Sequence, residues 1–228
     1  MDARKRFAAE VAAPDDLVRL DLAALCIAAH AHPGLDVDAW CRRVDDLAAG
    51  CREATFDGVR EHLFGRLRFA GDRETYDDPE NSFLDSVLER RKGIPITLSI
   101  LVIEVARRLG VTVHPVGMPG HFLVQPAGGR AVWCDPFHGG ALLGPEGCRA
   151  LFAAVNGPGV PFRGDHLSPT PRRLVLARVL ANLERGPLGR HPRHLSWMTA
   201  LHLSIPGLPE AERERLRDRL AGVRARWN

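Results

Sequence analysis

One stretch of the sequence, residues 96–109, is apolar on nearly every side when it is drawn as a helix. Its apolar positions are Ile96, Leu98, Ile100, Leu101, Val102, Ile103, Val105 and Ala106. Pro95 suits the first turn of this helix, because the N–H that proline lacks would have no intrahelical partner there. Glu104, Arg107 and Arg108 form its only charged edge. Such a helix is expected at the centre of a fold, where other elements bury it from several directions.

The residues after this helix are typical of β-strands. Residues 111–116 alternate in polarity, and residues 121–125 and 131–135 are rich in strand-forming side chains. Gly128 and Gly129 lie between the last two segments and indicate a hairpin turn. The sequence therefore predicts an α+β fold, in which a central helix packs on an antiparallel sheet.

Helices are predicted on both sides of this core. Residues 14–31, 37–51 and 56–68 have apolar side chains at helical spacing, and Leu17 is among those expected to face the core. Residues 71–80 form a polar loop, and Ser82 followed by Asp85 resembles a capping box. We predict a helical region over 1–79, the core over 80–155, and a linker with C-terminal helices over 156–228.

The C-terminal segment begins with a linker rich in proline and glycine over residues 156–171. Helices are predicted over residues 147–155, 174–183, 194–204 and 209–227. The last of them places Leu216, Leu220, Val223 and Trp227 on one apolar stripe.

Composition excludes several classes of protein. The 228 residues are 45% hydrophobic and carry a formal net charge of +3, a mild excess that is not typical of nucleic-acid binding. The N-terminus lacks the apolar segment of a secretory signal, and the apolar run over residues 20–31 is too short for a bilayer. The five cysteines form no C-x-x-C pair. We therefore expect a cytoplasmic protein with free thiols, no membrane or nucleic-acid partner and no cofactor.

Two residues on the predicted hairpin, His121 and Asp135, suggest a chemical site. If paired residues have numbers that sum to 256, the two side chains face each other; a two-residue turn would give 257 and place them on opposite faces. An aspartate beside a histidine fixes the tautomer of the imidazole and raises its basicity. Asp135 could equally begin a turn, and His121 could be a half-buried structural histidine.

Several long motifs resemble the SirB family of bacterial proteins. They are NSFLDSVLERRKGIPITLS, RRLGV, PGHFLV and DPFHGG, and the upstream LFGRLRFAGDRETYDDPENS also resembles that family, so that the resemblance covers roughly residues 10–185. It implies a transglutaminase-like, cysteine-protease-like α+β core preceded by helices, a domain that also occurs in some eukaryotic F-box proteins. The C-terminal region is too broken by glycine and proline for the regular tetratricopeptide pair that often follows in this family.

The wider transglutaminase-like superfamily implies a cysteine at the start of the central helix, a histidine on the next strands and an aspartate after it. Here the cysteine position falls on Pro95, within one residue, whereas His121 and Asp135 match the other two. Thr97, Ser99 and Cys134 are the alternative nucleophiles, but their side chains are expected to point elsewhere. A metal site could in principle use His114, His121, Asp135 and His138, although their spacing matches no standard ligand pattern; we predict no metal.

The remaining motif residues have two interpretations. In the first, these residues line a ligand groove beside His121; they are Asn81, Arg90, Arg91, Gly93 and Gly120. In the alternative, Asn81 caps a helix, Gly93 forms a tight turn and the arginines are surface charges.

Two functions follow from these observations. The first is a non-catalytic transglutaminase-like protein, a pseudoenzyme, whose cleft binds a peptide or protein partner. The second is a hydrolase or acyltransferase that uses His121 and Asp135 with another nucleophile or an activated water.

Overall fold

The computed structural model of the chain describes residues 2–128 and 131–225. These two ranges contain ten α-helices: α1 (Ala3–Ala12), α2 (Leu20–Ala31), α3 (Val37–Ala49), α4 (Phe56–Arg60), α5 (Leu84–Arg90), α6 (Pro95–Arg108), α7 (Pro145–Asn156), α8 (Arg172–Arg185), α9 (Pro192–Leu203) and α10 (Glu210–Ala225). The strands are β1 (Ala70–Gly71), β2 (Lys92–Gly93), β3 (Val113–Val116), β4 (Leu123–Pro126), β5 (Trp133–Asp135) and β6 (Ala141–Leu143). This mixture of helices with an antiparallel sheet confirms the predicted α+β class.

Helix α6 is the central element. Every residue from Pro95 to Ala106 is buried, as its apolar pattern predicted. The helix contacts strands β3 and β4 and also helices α2, α3 and α8. Its charged edge is divided: Glu104 is fully buried, whereas Arg107 is exposed. The buried surface of α6 therefore contains a carboxylate, and a buried carboxylate requires charged or hydrogen-bonding partners inside the protein.

Strands β3, β4, β5 and β6 form one antiparallel sheet in that order. Val124 of β4 pairs with Cys134 of β5, so the numbers of paired residues sum to 258. The predicted sum of 256 is therefore wrong by two, because the register is centred on residue 129 instead of residue 128. The even sum keeps His121 and Asp135 on the same face. The predicted Gly128–Gly129 turn lies partly outside the described residues, at Gly129.

The N-terminal helix differs from the prediction. Residues 14–31 do not form one helix: a short 3₁₀ turn, Asp15–Leu17, precedes α2. The carboxylate of Asp15 accepts hydrogen bonds from the backbone N–H groups of Arg172 and Arg173, at 2.8 and 3.0 Å. Asp15 thus caps α8 instead of starting α2. Leu17, predicted to face the core, is 64% exposed for this reason.

The predicted capping box at Ser82 and Asp85 is wrong. Ser82 ends a 3₁₀ turn, Pro79–Ser82, in which the side chain of Asp78 accepts the backbone N–H of Glu80. Helix α5 begins after Phe83, which has no capping side chain. The carboxylate of Asp85 instead contacts Nδ1 of His32, a residue 53 positions away. A long-range hydrogen bond has replaced the local one.

The predicted linker over residues 156–171 is partly structured. It contains the 3₁₀ turn Gly164–Leu167, and Leu167 is buried in a second, smaller apolar cluster. The backbone N–H of Thr170 donates to the carbonyl of Pro115 at 2.7 Å, which ties the segment to β3. Trp227, placed on the stripe of the last helix, lies outside the described residues.

The main apolar core contains side chains from all three predicted segments, such as Leu25, Ile100 and Leu180. The predicted boundaries at residues 79/80 and 155/156 stay predictions. Within the described ranges, no helix has both the length and the apolarity needed to cross a membrane.

Truncating the central helix should destabilise the protein strongly. Ile100→Ala and Ile103→Ala should each lower the free energy of unfolding by about 2–5 kcal/mol, because both side chains are buried. Ser99 is also buried, and its hydroxyl donates to the carbonyl of Pro95 at 2.8 Å. Ser99→Ala should therefore cost about 0.5–1.5 kcal/mol. Urea unfolding measures all three variants, and a larger loss for Ser99→Ala than for either isoleucine would contradict a central α6.

Candidate functional site

His121 lies at the end of the turn that enters β4. Its backbone N–H donates to the carbonyl of Met118 at 3.0 Å. Gly120, before it, has φ +75°, and a Cβ there would lie 2.5 Å from Val155. Both the positive φ and the lack of space require glycine at this position. This tight turn presents the imidazole of His121 to the interior, where only 6% of its surface is exposed.

Asp135 ends β5 and caps the 3₁₀ turn Pro136–His138. Its Oδ1 accepts the backbone N–H groups of Phe137 and His138, at 3.1 and 3.3 Å. The Asp-Pro-Phe sequence thus forms the turn that one interpretation predicted. The same carboxylate is nevertheless directed at His121, so the capping role and the histidine contact coexist.

The predicted contact between His121 and Asp135 is confirmed. Nε2 of His121 lies 3.0 Å from Oδ1 of Asp135, and both side chains are buried. Burial raises the pKa of Asp135, but the hydrogen bonds and charges of His121 and His138 outweigh it, and the pKa lies below its ordinary value. The carboxylate is therefore ionised at neutral pH and only accepts hydrogen bonds. Consequently Nε2 carries the proton, and in the neutral ring Nδ1 carries the lone pair.

A cavity of about 240 Å³ opens beside His121. Pro95 and Ile96, at the N-terminal end of α6, line the same cavity. Pro95 is the first residue of α6, as predicted. The His–Asp pair therefore faces the start of the central helix, where the superfamily pattern has its cysteine.

The alternative nucleophiles lie elsewhere. The hydroxyl of Thr97 is within hydrogen-bond distance of the carbonyl of Asn81, at 2.8 Å, and Ser99 bonds within α6. Burial raises the pKa of Cys134 to about 12. Among the described residues that line the cavity there is no cysteine.

His138 is a second partner of Asp135, and this contact was not predicted from the sequence. Its Nδ1 lies 2.7 Å from Oδ2 of Asp135, and its ring stacks on that of His121 with centroids 5.8 Å apart. His121, Asp135 and His138 each offer one atom that could bind a metal, and these three atoms lie within 4.8 Å of one another. The structure thus brings together three of the four residues considered for a metal, whereas His114 lines a different cavity. Two imidazoles and a carboxylate are a donor set that suits zinc.

Asn81 and Arg90 hold in place a loop that lies largely at the surface. The side-chain amide of Asn81 donates to the carbonyl of Thr75 at 2.7 Å, and its Oδ1 accepts from Arg90 at 2.6 Å. Arg90 also contacts Asp72 and Asp78, at 3.2 and 3.1 Å. These contacts fix residues 72–81, and neither residue lines the cavity beside His121. Their role in ligand binding stays a prediction.

Of the other predicted binding residues, Gly120 alone lines that cavity within the described chain. Arg91 is exposed, has φ +57°, and donates to the carbonyl of Leu67 at 3.1 Å. Gly93 is buried in β2, where an added Cβ would lie 2.9 Å from Oγ1 of Thr97. A close approach of α6 therefore explains this glycine.

One wall of the cavity consists of residues that were not predicted to form a site. Tyr76, Arg178, Asn182 and Arg185 all line it. The three residues on α8 are spaced by four and three positions, the spacing of one helix face. The helical spacing of these three polar residues was the signal available in the sequence.

A buried His–Asp pair that faces the start of a central helix, next to an antiparallel sheet, defines the transglutaminase-like class of fold. A family model described as the transglutaminase-like superfamily matches residues 32–181. The chain therefore belongs to the transglutaminase-like superfamily.

Its curated relatives include proteins of both bacteria and animals. A UPF0162 protein of Xylella fastidiosa (strain 9a5c) is 34% identical over 216 residues, which cover 88% of this chain and 77% of the relative. A UPF0162 protein of Vibrio cholerae is 30% identical over 169 residues, 73% of this chain and 62% of the relative. Mouse F-box only protein 21 is 40% identical over 86 residues, which cover 38% of this chain and 13% of that protein. No solved structure matches the chain significantly.

Proposed function

We propose that this chain is a transglutaminase-like pseudoenzyme whose cleft binds a peptide or protein partner. Pro95 at the first position of α6, beside His121, is the observation that carries this proposal. A helix N-terminus lowers the pKa of a thiol and offers N–H donors to an oxyanion. Proline supplies no side-chain nucleophile and removes one of those donors. Acyl transfer through a thioester is therefore lost.

The cysteines of the chain support this proposal. Burial raises the pKa of Cys26 and Cys134 to about 12, and of Cys41 and Cys148 to about 11. A thiolate is the reactive form, so these four residues are inert at neutral pH.

The alternative function is a hydrolase in which His121 activates a water. It is favoured by the buried His–Asp pair, since Nδ1 of His121 makes no hydrogen bond to another described residue and the side chain lines the cavity. A lone pair held beside a cavity by an ionised aspartate is the arrangement of a general base.

The narrower family and the location are also proposals. The long ordered motifs support a SirB-type protein, and a cytoplasmic location stays a prediction. The small net charge supports a protein or peptide partner over a nucleic acid.

Ester hydrolysis separates the two functions. With p-nitrophenyl acetate as the probe, the wild type and His121→Ala should react at the same rate if the cleft only binds. A general base would make the wild type faster by about 10²–10⁴-fold. That difference would favour the hydrolase and contradict the pseudoenzyme.

Affinity capture from the native host tests binding. Tyr76 lines the cavity and Leu142 lies outside it, and these exposed side chains are of similar accessibility, 45% and 47%. Tyr76→Ala should abolish the capture of a partner that Leu142→Ala still retains. A partner retained equally by both variants would not use the cleft.

A further inference from the structure

The cavity beside His121 continues into a second cavity along helix α8. The two have volumes of about 240 and 210 Å³. They share four lining residues, namely Tyr76, Ile94, Asn182 and Arg185. They therefore form one groove, which leads from His121 past α8.

Two arginines of α8 bring positive charge to this groove. Arg178 donates to the backbone carbonyls of Met118 and His121, at 2.9 and 2.8 Å, and Arg185 donates to Oδ1 of Asn182 at 2.7 Å. All three acceptors are neutral. Within the described residues, neither arginine forms a salt bridge with a carboxylate.

The lack of a carboxylate partner is physically costly. Burial and the charge of Arg185 lower the pKa of Arg178, so the two cations repel each other along one face of α8. A partly buried charge without a counterion is destabilising, and a bound anion would remove that penalty. Arginine also recognises carboxylates through parallel hydrogen bonds.

Asn182 strengthens the same end of the groove. Its Oδ1 accepts the hydrogen bond from Arg185, which directs its oxygen towards the arginine. Asn182 lines both cavities, and its Nδ2 group makes no hydrogen bond to another described residue. The amide thus adds N–H donors beside the two guanidinium groups.

The other end of the groove has different chemistry. Asp77 and Asp78 line it together with Leu183 and Leu188. Negative charge there disfavours a polyanion such as a nucleic acid, whereas the leucines offer contact to an apolar side chain. One carboxylate on a peptide chain fits the combination of a cationic end and a mixed acidic and apolar end.

We infer that the groove binds a peptide through one carboxylate, which is held by Arg178, Arg185 and Asn182 next to His121. This inference rests on the proposed function, because it specifies the partner of that same cleft. The carboxylate belongs either to the C-terminus of the peptide or to an acidic side chain.

Fluorescence polarisation with rhodamine-labelled heptapeptide pools tests this inference. Two pools without acidic residues have a free or an amidated C-terminus, and two amidated pools have a fixed central Glu or Gln. A carboxylate-bearing pool should bind at least about tenfold more tightly than its neutral counterpart. Whichever pair shows the preference identifies the source of the carboxylate.

Two variants locate the carboxylate site. Arg185→Gln should remove most of the preference, about tenfold, since Arg185 is exposed and its loss spares the core. Arg190→Gln is the matched control, because Arg190 is also exposed but does not line the groove. The control should keep the preference.

Three outcomes would overturn the inference, and they differ in what they say about the proposed function. Equal binding of charged and neutral pools, or a preference that survives Arg185→Gln, would contradict the carboxylate site while peptide binding stands. Binding of a thymidine hexanucleotide as tight as that of the best peptide pool would replace the peptide with a nucleic acid. No binding by any peptide pool would contradict the inference, whereas the proposed function is contradicted only if the captured partner is also retained equally by Tyr76→Ala and Leu142→Ala.

Discussion

Replacing Pro95 with cysteine is expected to create one fast-reacting thiol. The new side chain would lie at the first position of α6, in the cavity that also contains His121. The helix dipole and the His121–Asp135 pair both favour the thiolate. We expect its pKa to fall from about 8.5 for a free thiol to about 6.5.

The change in reactivity follows from this pKa. At pH 6 a fall of about 2 units increases the thiolate about 100-fold, while the lower basicity reduces its nucleophilicity about eightfold. Alkylation by iodoacetamide should therefore be about tenfold faster than for a free thiol. The measurement is the alkylation rate against pH, followed by mass spectrometry of the modified peptide.

The background should be low. Four native cysteines are buried with raised pKa values, and Cys51 is partly exposed, so a Cys51→Ser background removes the one accessible native thiol among the five. Adding His121→Ala should slow the alkylation, because only the helix dipole then favours the thiolate. If the new thiol titrates like a free cysteine in a folded protein, Pro95 does not occupy the nucleophile position.

The second large effect is expected at Arg108. Its guanidinium contacts the buried carboxylates of Asp21 and Glu104, and also Asp45 at 2.6 Å. Arg108 and Arg19 hold the pKa of Asp21 below its ordinary value, against the effect of burial. Arg108→Ala would leave two buried carboxylates without this partner. We expect the free energy of unfolding to fall by about 3–5 kcal/mol.

Arg107 supplies the matched control. It also pairs with Glu104, at 2.8 Å, but its side chain is 39% exposed. Arg107→Ala should cost no more than about 1 kcal/mol, as for other solvent-screened ion pairs. Urea unfolding of both variants measures the difference. Equal losses in the free energy of unfolding would contradict the prediction, because burial of the arginine would then not set the cost of removing it.

Much of the fold was predictable because it depends on neighbouring residues. The apolar surface of residues 96–109 determines that α6 is buried, and Pro95 determines where it begins. These features depend on helix geometry and on the exclusion of water. The His121–Asp135 contact was predictable for a similar reason, since the parity of a hairpin register decides which side chains share a face.

Other features depended on residues far apart in the chain. The predicted capping box was wrong because Asp85 forms a hydrogen bond with His32. The predicted helix over residues 14–31 was wrong because Asp15 caps α8. A local pattern cannot include a partner that arrives from another segment and competes for the same side chain.

The sequence by itself determined the central helix and the α+β class, and it predicted that proline occupies the nucleophile position. Only the tertiary structure decided how the charges pair. The carboxylate of Glu104 accepts hydrogen bonds from the backbone N–H of Leu20 and from the guanidinium of Arg172, which are 84 and 68 positions away in the chain. The same folding placed Arg178 and Arg185 beside His121. The physical reason is that apolar periodicity acts over one helical turn, whereas the partner of a buried charge is whichever segment the packing of the core brings next to it.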